Sequence, residues 1–257
     1  MTRSSDETRG VAPEPFTIGD PGRAYAETRS GAPSDGSNPS DTVCDAFDWA
    51  GWSVRAASVR GLSHRQFSEP RQDDFGIRYS RNLDRLVLVV CDGVGSAALS
   101  HKAASLAADH LAASVVVAES IDEAYFSEAF HLASDAIVDL ARSLSSGHVE
   151  DAHDARREMA TTAHVVVLEG LSRPGSWSGV SASVGDSTAW RASALQGASF
   201  DSFHQINAPA HPDGHQLAST STSSLPLVDT GSIKIEHVEL GAGQLLLVCS
   251  DGASDAF

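Results

Sequence analysis

Apolar and polar positions sort this chain into segments before any single residue is weighed. The densest apolar cluster is Leu86 to Cys91, LVLVVC, which runs straight into Asp92-Gly93 and a small-residue turn, Val94-Gly95-Ser96. A valine-rich run of this length predicts a strand covered on both faces, and the turn after it leads to a helix starting near Ala97. The pattern returns near the end, where Gln244 to Ser250, QLLLVCS, runs into Asp251-Gly252; this predicts a second buried strand that ends in a carboxylate. Between the two the period changes. From Ala97 to Glu119 small and apolar residues recur at helical spacing, with Ala103, Leu106, Ala107, His110, Leu111 and Val115 along one side. Ser120-Ile121-Asp122-Glu123 has the spacing of a capping box and predicts a second helix, whose Phe126, Phe130, Ala133, Ile137, Leu140 and Leu144 recur at three and four residues until Gly147.

The remaining segments are shorter. Phe47 to Arg60 is aromatic and alternating and predicts the first strand; Gly61 to Arg71 is a polar loop carrying His64, Arg65 and Arg71, and Phe75 to Tyr79 resumes as a strand. Thr161 to Leu168, Ser176 to Trp190 and Ser232 to Leu240 alternate as antiparallel strands do, with Leu171 to Gly175 as a hairpin loop. His148 to Glu158 and Ala208 to Ser224 are charged or polar and predict loops. Two helices in succession between strand regions imply helices packed on a sheet rather than alternating βαβ units, hence an α+β sandwich. Residues 1–45 hold five of the ten prolines and few large apolar side chains. Such a stretch buries too little surface to offset its ordering entropy, so a disordered tail is expected there and a folded domain over 46–257.

Composition narrows the picture. At 257 residues and 41% hydrophobic content the chain supports one large domain with a full core. A formal net charge of −16 repels nucleic acid and anionic membrane and argues against both as partners. Cys44, Cys91 and Cys249 are odd in number and far apart, which fits neither a disulfide framework nor a cysteine zinc site. Cys91 and Cys249 sit inside apolar runs and are expected to be small core residues. No apolar stretch approaches the roughly 18 residues of a membrane span and no signal-peptide core opens the chain, so a cytoplasmic protein is expected.

The candidate chemistry is acidic. Two strands deliver Asp92-Gly93 and Asp251-Gly252 at their ends, and Gln72-Asp73-Asp74-Phe75 precedes the first of them. Hard cations such as Mg²⁺ and Mn²⁺ take oxygen ligands of this kind, with water in the remaining positions. An Asp-Gly pair also closes many strands with no further role. The His148 to Glu158 stretch holds two histidines among four carboxylates, but the spacing fits no zinc pattern. Asp186 reads as a structural acceptor at a strand turn. A cysteine phosphatase is set aside because neither Cys91 nor Cys249 is followed by arginine at the C-x₅-R spacing.

Taken together and in order, these residues resemble the metal-dependent Ser/Thr protein phosphatases, the PPM or type-2C family, and its bacterial branch in particular. Gln72-Asp73-Asp74-Phe75 is similar to the family's N-E-D-x-F signature, and Asp92-Gly93-Val94-Gly95-Ser96 to its D-G-x-G-G turn. Met159-Ala160-Thr161-Thr162 resembles M-G-T-T, Gly185-Asp186-Ser187 resembles the start of G-D-S-R-A, and Ser250-Asp251-Gly252 matches S-D-G. The resemblance implies a four-layer α-β-β-α sandwich of two mostly antiparallel sheets flanked by helices. It implies two divalent cations, Mn²⁺ or Mg²⁺, held by Asp73, Asp92, the Gly93 carbonyl and Asp251, with Asp92 bridging. The implied activity is hydrolysis of phosphoserine and phosphothreonine in proteins by a metal-activated water, with phosphorylated proteins as substrates, a Ser/Thr kinase as a possible partner and a monomeric state.

The chain departs from the family pattern at several points. Gln72 stands where the signature has Glu, and Ser68 stands five residues before Asp73, where the family carries its phosphate-binding Arg. Arg65 or Arg71 is expected to take over the phosphate. Val94 occupies the place of a histidine of eukaryotic members, which leaves His64 as the expected proton donor beside Asp73 and Asp92, or a water on the metals. Arg157-Glu158 stands where bacterial members often place a further aspartate. The sequence reaches Phe257 without the family's final D-N motif, so the sandwich is expected to lack its last C-terminal elements. The alternative these departures leave open is a catalytically silent relative that binds a phosphoprotein or a kinase.

Overall fold

The structure, a computed structural model, describes residues 39–49, 51–144, 149–172, 175–193, 203–207, 223–227 and 232–254. Its strands are β1 (Thr42–Trp49), β2 (Trp52–Val59), β3 (Asp74–Ser80), β4 (Arg85–Cys91), β5 (Ala163–Glu169), β6 (Ser176–Val184), β7 (Thr188–Ser193), β8 (His204–Gln205), β9 (Lys234–Gly241) and β10 (Gln244–Cys249). Its helices are α1 (Leu62–Phe67), α2 (Ser100–Val117), α3 (Glu123–Leu144), α4 (Ala152–Glu158) and α5 (Asp251–Ser254). Five strands form one antiparallel sheet in the order β3-β4-β5-β6-β9. Three more form a second in the order β10-β7-β8, and β1 and β2 make a separate hairpin.

Side chains alternate along the central strands and so build two cores. From β4 and β5, Val87, Val89, Cys91, Ala163, Val165 and Val167 meet the helices, together with Phe126, Phe130 and Ile137 of α3. Leu86, Val166 and Leu168 point the other way and pack with Val54, Ala189, Val238 and Leu240 between the sheets. The helix α2 lies close on the sheet because its inner face is mostly alanine, with Ala103, Ala104, Ala107, Ala108 and Ala112 all buried. Gly76 on β3 completes that fit: a Cβ there would lie 2.4 Å from the Ala108 carbonyl oxygen and 2.8 Å from the Ala112 Cβ. At the far end of β4 the buried Arg85 guanidinium donates to the last carbonyls of α2, Val115 at 3.0 Å and Ala118 at 2.6 Å, and pairs with Glu169 at 2.7 Å. That satisfies backbone groups the helix end leaves open.

The fold is the antiparallel α+β sandwich the hydrophobic pattern predicts, with differences that have local causes. Phe47 to Arg60 is not one strand but parts of two, because the chain reverses between Trp49 and Trp52. The expected loop from Gly61 to Arg71 contains α1, and the loop from His148 to Glu158 contains α4, whose Asp151 accepts the Asp154 N–H at 3.0 Å. The cap of α3 is Asp122, which accepts the Tyr125 N–H at 2.8 Å, rather than Ser120. Ser176 to Trp190 is broken by Gly185-Asp186-Ser187 into β6 and β7, which belong to different sheets. The strand β10 is half-buried rather than covered on both faces, since α2 and α3 pack on the five-stranded sheet. The expected tail overlaps β1 at Thr42–Asp45; its residues 1–38 lie outside the described residues, as do 145–148 and 208–222. Among the described residues no helix is long and apolar enough to cross a membrane.

One polar group is fully enclosed between the sheets. His164 on β5 has no exposed surface, and burial holds its ring at about 4, below the ordinary 6.5, against the opposing pull of its bond to the Ser187 carbonyl. Between those values the unfolded chain binds a proton that the folded chain refuses, so stability falls as pH drops from 6.5 towards 4. The full effect is about 3 kcal/mol. Urea unfolding across that range will show a steeper loss in the wild type than in His164→Asn, which has no such group to titrate. Substituting Gly76→Ala forces β3 and α2 apart and is expected to cost about 1–3 kcal/mol, read as a lower urea midpoint with unchanged slope.

Candidate active site

Asp92 stands where β4 leaves its ladder, and the two threonines before β5 close around it. The Thr162 N–H donates to the Asp92 carbonyl at 2.8 Å, the Thr161 hydroxyl donates to the same oxygen at 2.8 Å, and the Asp92 N–H donates to Thr162 Oγ1 at 3.2 Å. One residue on, Val94 N–H donates to the Ala160 carbonyl at 2.9 Å. The Asp92 N–H and carbonyl and the Val94 N–H are thereby held, which fixes where the Asp92 side chain begins.

Gly93 lets a second segment pass close by. A Cβ at this position would lie 2.8 Å from the Gln72 carbonyl oxygen and 3.1 Å from the Ser100 Cβ, so glycine is required for the approach. The segment that passes carries Asp73. Its carbonyl accepts from the Ser58 hydroxyl at 2.8 Å and from the Arg71 guanidinium, and its carboxylate Oδ2 accepts from the Ser250 hydroxyl at 2.9 Å. Ser250 directly precedes Asp251, so the same contact ties this segment to the end of β10.

The Asp92 carboxyl is close enough to Asp73 and Asp251 for both to raise its pKa. Burial is the largest influence on it, and the negative charges of its two neighbours add to that, so its pKa is pushed up to about 9. Asp73, Asp92 and Asp251 line one cavity of about 1390 Å³ together with Gly93, Gln72, His64 and Ser250. The walls away from the carboxylates are apolar, with Trp52, Trp177, Leu246 and Val248. Next to Asp92, burial and then the charges of Asp74, Asp92 and Asp73 push the Cys91 thiol up, so it stays protonated and is no nucleophile.

The donor set suits hard divalent cations. It is all oxygen, three carboxylates and the Gly93 carbonyl, and a cluster that drives one carboxyl to keep its proton is short of positive charge. Among the described residues no group of three or more His, Cys, Asp or Glu side chains is arranged to hold a metal ion as the side chains stand. The aspartates make an open rim with Asp92 at its centre, in which water would fill the remaining positions as it does around Mg²⁺.

Of the residues singled out in the sequence, Asp73, Asp92, Gly93, Asp251 and His64 come together on this cavity. His64 sits on α1 with its Nδ1 2.8 Å from Glu69. The two arginines expected to anchor phosphate do not line the cavity. Arg71 is buried, and its guanidinium is spent on the Ser40 carbonyl at 3.1 Å, Ser58 Oγ at 2.9 Å, Asp74 Oδ1 at 3.3 Å and the Asp73 carbonyl, so it holds the Asp73 segment instead of a phosphate. Arg65 faces Asp41 at 3.7 Å. Sequence reasoning passed over Ser250, Thr162, Ser187 and His164 as functional residues. The first three stand inside or beside recognisable motifs, whereas His164 gives no signal within its apolar run, since its partners come from other strands.

The family model described as protein phosphatase 2C, PP2C_2, matches residues 60–257. No curated protein matches the sequence. The fold is similar to that of the serine/threonine phosphatase of S. agalactiae, with a TM-score of 0.53 and 15% identity over 83% of this chain and 81% of that one. It is similar also to serine/threonine phosphatase Stp1 from Staphylococcus aureus, with a TM-score of 0.50 and 16% identity over 89% of this chain and 82% of that one. With the family model covering most of its length, this chain belongs to the protein phosphatase 2C family.

Proposed function

We propose that this protein hydrolyses phosphoserine and phosphothreonine in proteins, using two divalent cations, Mn²⁺ or Mg²⁺, held at the aspartate rim. The observation that carries this reading is the placement of Asp73, Asp92 and Asp251 together on the wall of one cavity. When bound, the cations supply a water acidic enough to act as nucleophile near neutral pH and neutralise the charge of the phosphoryl group. Asp92, Asp73 and Asp251 would supply the carboxylates that hold the cations, and the Gly93 carbonyl would add a neutral oxygen. Ser250 and Arg71 keep Asp73 in place from opposite ends of its residue, by the carboxylate and by the carbonyl. His64, whose Nδ1 is engaged by Glu69, exchanges a proton with the leaving oxygen through Nε2. Arg71 is spent inside the protein and does not face the phosphate.

Gln72 favours a second reading. A neutral amide stands on the cavity wall beside Asp73, and an amide oxygen is a weaker cation ligand than a carboxylate. A silent protein that binds a phosphoprotein or a kinase fits that residue. Hydrolysis of p-nitrophenyl phosphate and of a phosphothreonine peptide, with and without Mn²⁺, separates the two. For the enzyme, turnover depends on Mn²⁺ and Asp92→Asn lowers it by about a hundredfold or more, since several kcal/mol of charge stabilisation go with the cations. Mn²⁺ is also expected to raise the melting temperature of the wild type and not that of Asp92→Asn. Absence of metal-dependent turnover in the wild type leaves the silent reading.

A further inference from the structure

We propose that His164 and Ser187 are positioning residues that form a buried strut setting the distance between Asp92, which follows a strand of one sheet, and Asp251, which follows a strand of the other; this rests on the reading of the aspartate rim as a cation site. Ser187 is the last residue before β7, in the turn that carries the chain from the five-stranded sheet to the three-stranded one. Its hydroxyl lies 2.9 Å from Thr162 Oγ1, the atom that accepts the Asp92 N–H. In the other direction, Thr188 pairs with Cys249 in the register of β7 and β10, and Cys249 leads through Ser250 to Asp251. Ser187 is thus a single hydrogen bond from the group that holds Asp92, and its neighbour Thr188 is paired with the strand that delivers Asp251.

The position of Ser187 is fixed from behind. Its carbonyl accepts from His164 Nδ1 at 3.0 Å and from Asn207 Nδ2 at 3.0 Å, and Asn207 Oδ1 accepts the Ala189 N–H at 2.8 Å. A carbonyl only accepts, so Nδ1 carries the ring proton and Nε2 accepts from the Ser181 hydroxyl at 2.6 Å. Ser181 is on β6, beside the β5 strand that carries His164, so the strut is rooted in the central sheet. Thr162, His164, Ser181, Ser187 and Asn207 are all buried. With every member partnered and shielded from water, the network resists small displacements, and removing one member leaves others unsatisfied. None of the five lines the cavity, so none touches a substrate there. The strut acts through the aspartates.

The test titrates the metal-free full chain with Mn²⁺ in a calorimeter, alongside His164→Leu, Ser187→Ala, His164→Asn and Asp92→Asn. His164→Leu and Ser187→Ala are expected to weaken Mn²⁺ binding by about tenfold or more, as loss of an outer hydrogen-bond partner does at metal sites. His164→Asn, whose amide N–H can replace the Nδ1 donor to the Ser187 carbonyl, is expected to bind close to the wild type. Asp92→Asn is expected to lose tight binding altogether. Melting of the metal-free proteins reports stability separately, because a purely structural role lowers melting temperature and leaves the Mn²⁺ dissociation constant alone. Wild-type affinity in both His164→Leu and Ser187→Ala overturns the strut while leaving the cation site standing. A wild type that binds no Mn²⁺ takes down the proposed function and the strut together. Should His164→Leu fail to fold, Ser187→Ala removes one hydroxyl and carries the comparison.

Discussion

Like charges forced onto one rim govern much of this molecule. Asp73, Asp92 and Asp251 line one cavity, and burial together with its two neighbours raises the Asp92 pKa to about 9, as expected of a site without positive charge. Such crowding disfavours the folded state, so it persists only where surrounding structure holds the groups in place. Here the support is local and polar: threonine hydroxyls and backbone groups around Asp92, a serine hydroxyl and an arginine around Asp73. Cation binding would turn this repulsion into a source of affinity.

The architecture explains why the support is distributed. Asp92 follows a strand of the five-stranded sheet and Asp251 follows a strand of the three-stranded one. The two sheets share an apolar core of Leu86, Val166, Leu168, Ala189, Val238 and Leu240, which holds them together without specifying register. Apolar contacts are non-directional and tolerate sliding, whereas hydrogen bonds fix distance and direction. The enclosed polar group of His164, Ser187 and Asn207 supplies that precision at the turn between the sheets. On the opposite face, the alanine-lined α2 and Gly76 set the height of the helix layer over the sheet by steric contact.

Arg71 illustrates how composition misleads without coordinates. A basic residue two positions before a predicted ligand invites a role in binding phosphate, yet its guanidinium faces inward and is satisfied by four protein acceptors. Its charge is used to hold a carbonyl and to balance Asp74. Nothing in a one-dimensional pattern distinguishes an arginine pointing into a cleft from one pointing into the chain beside it.

From sequence alone, the positions of β4 and β10, the helices over Ala97–Glu119 and up to Leu144, and the acidic groups at the strand ends were all legible, because each follows from contiguous periodicity or from a short motif. The breaks at Gly51 and at Gly185 to Ser187, the short helices α1 and α4, the inward turn of Arg71 and the role of His164 were decided by tertiary structure. Each depends on partners brought close only by folding: the second strand of a hairpin, a neighbouring sheet, a carbonyl twenty or more residues away. Local pattern determines what a segment prefers to be, while the direction of a polar side chain is settled by which acceptor the assembled fold leaves within its reach.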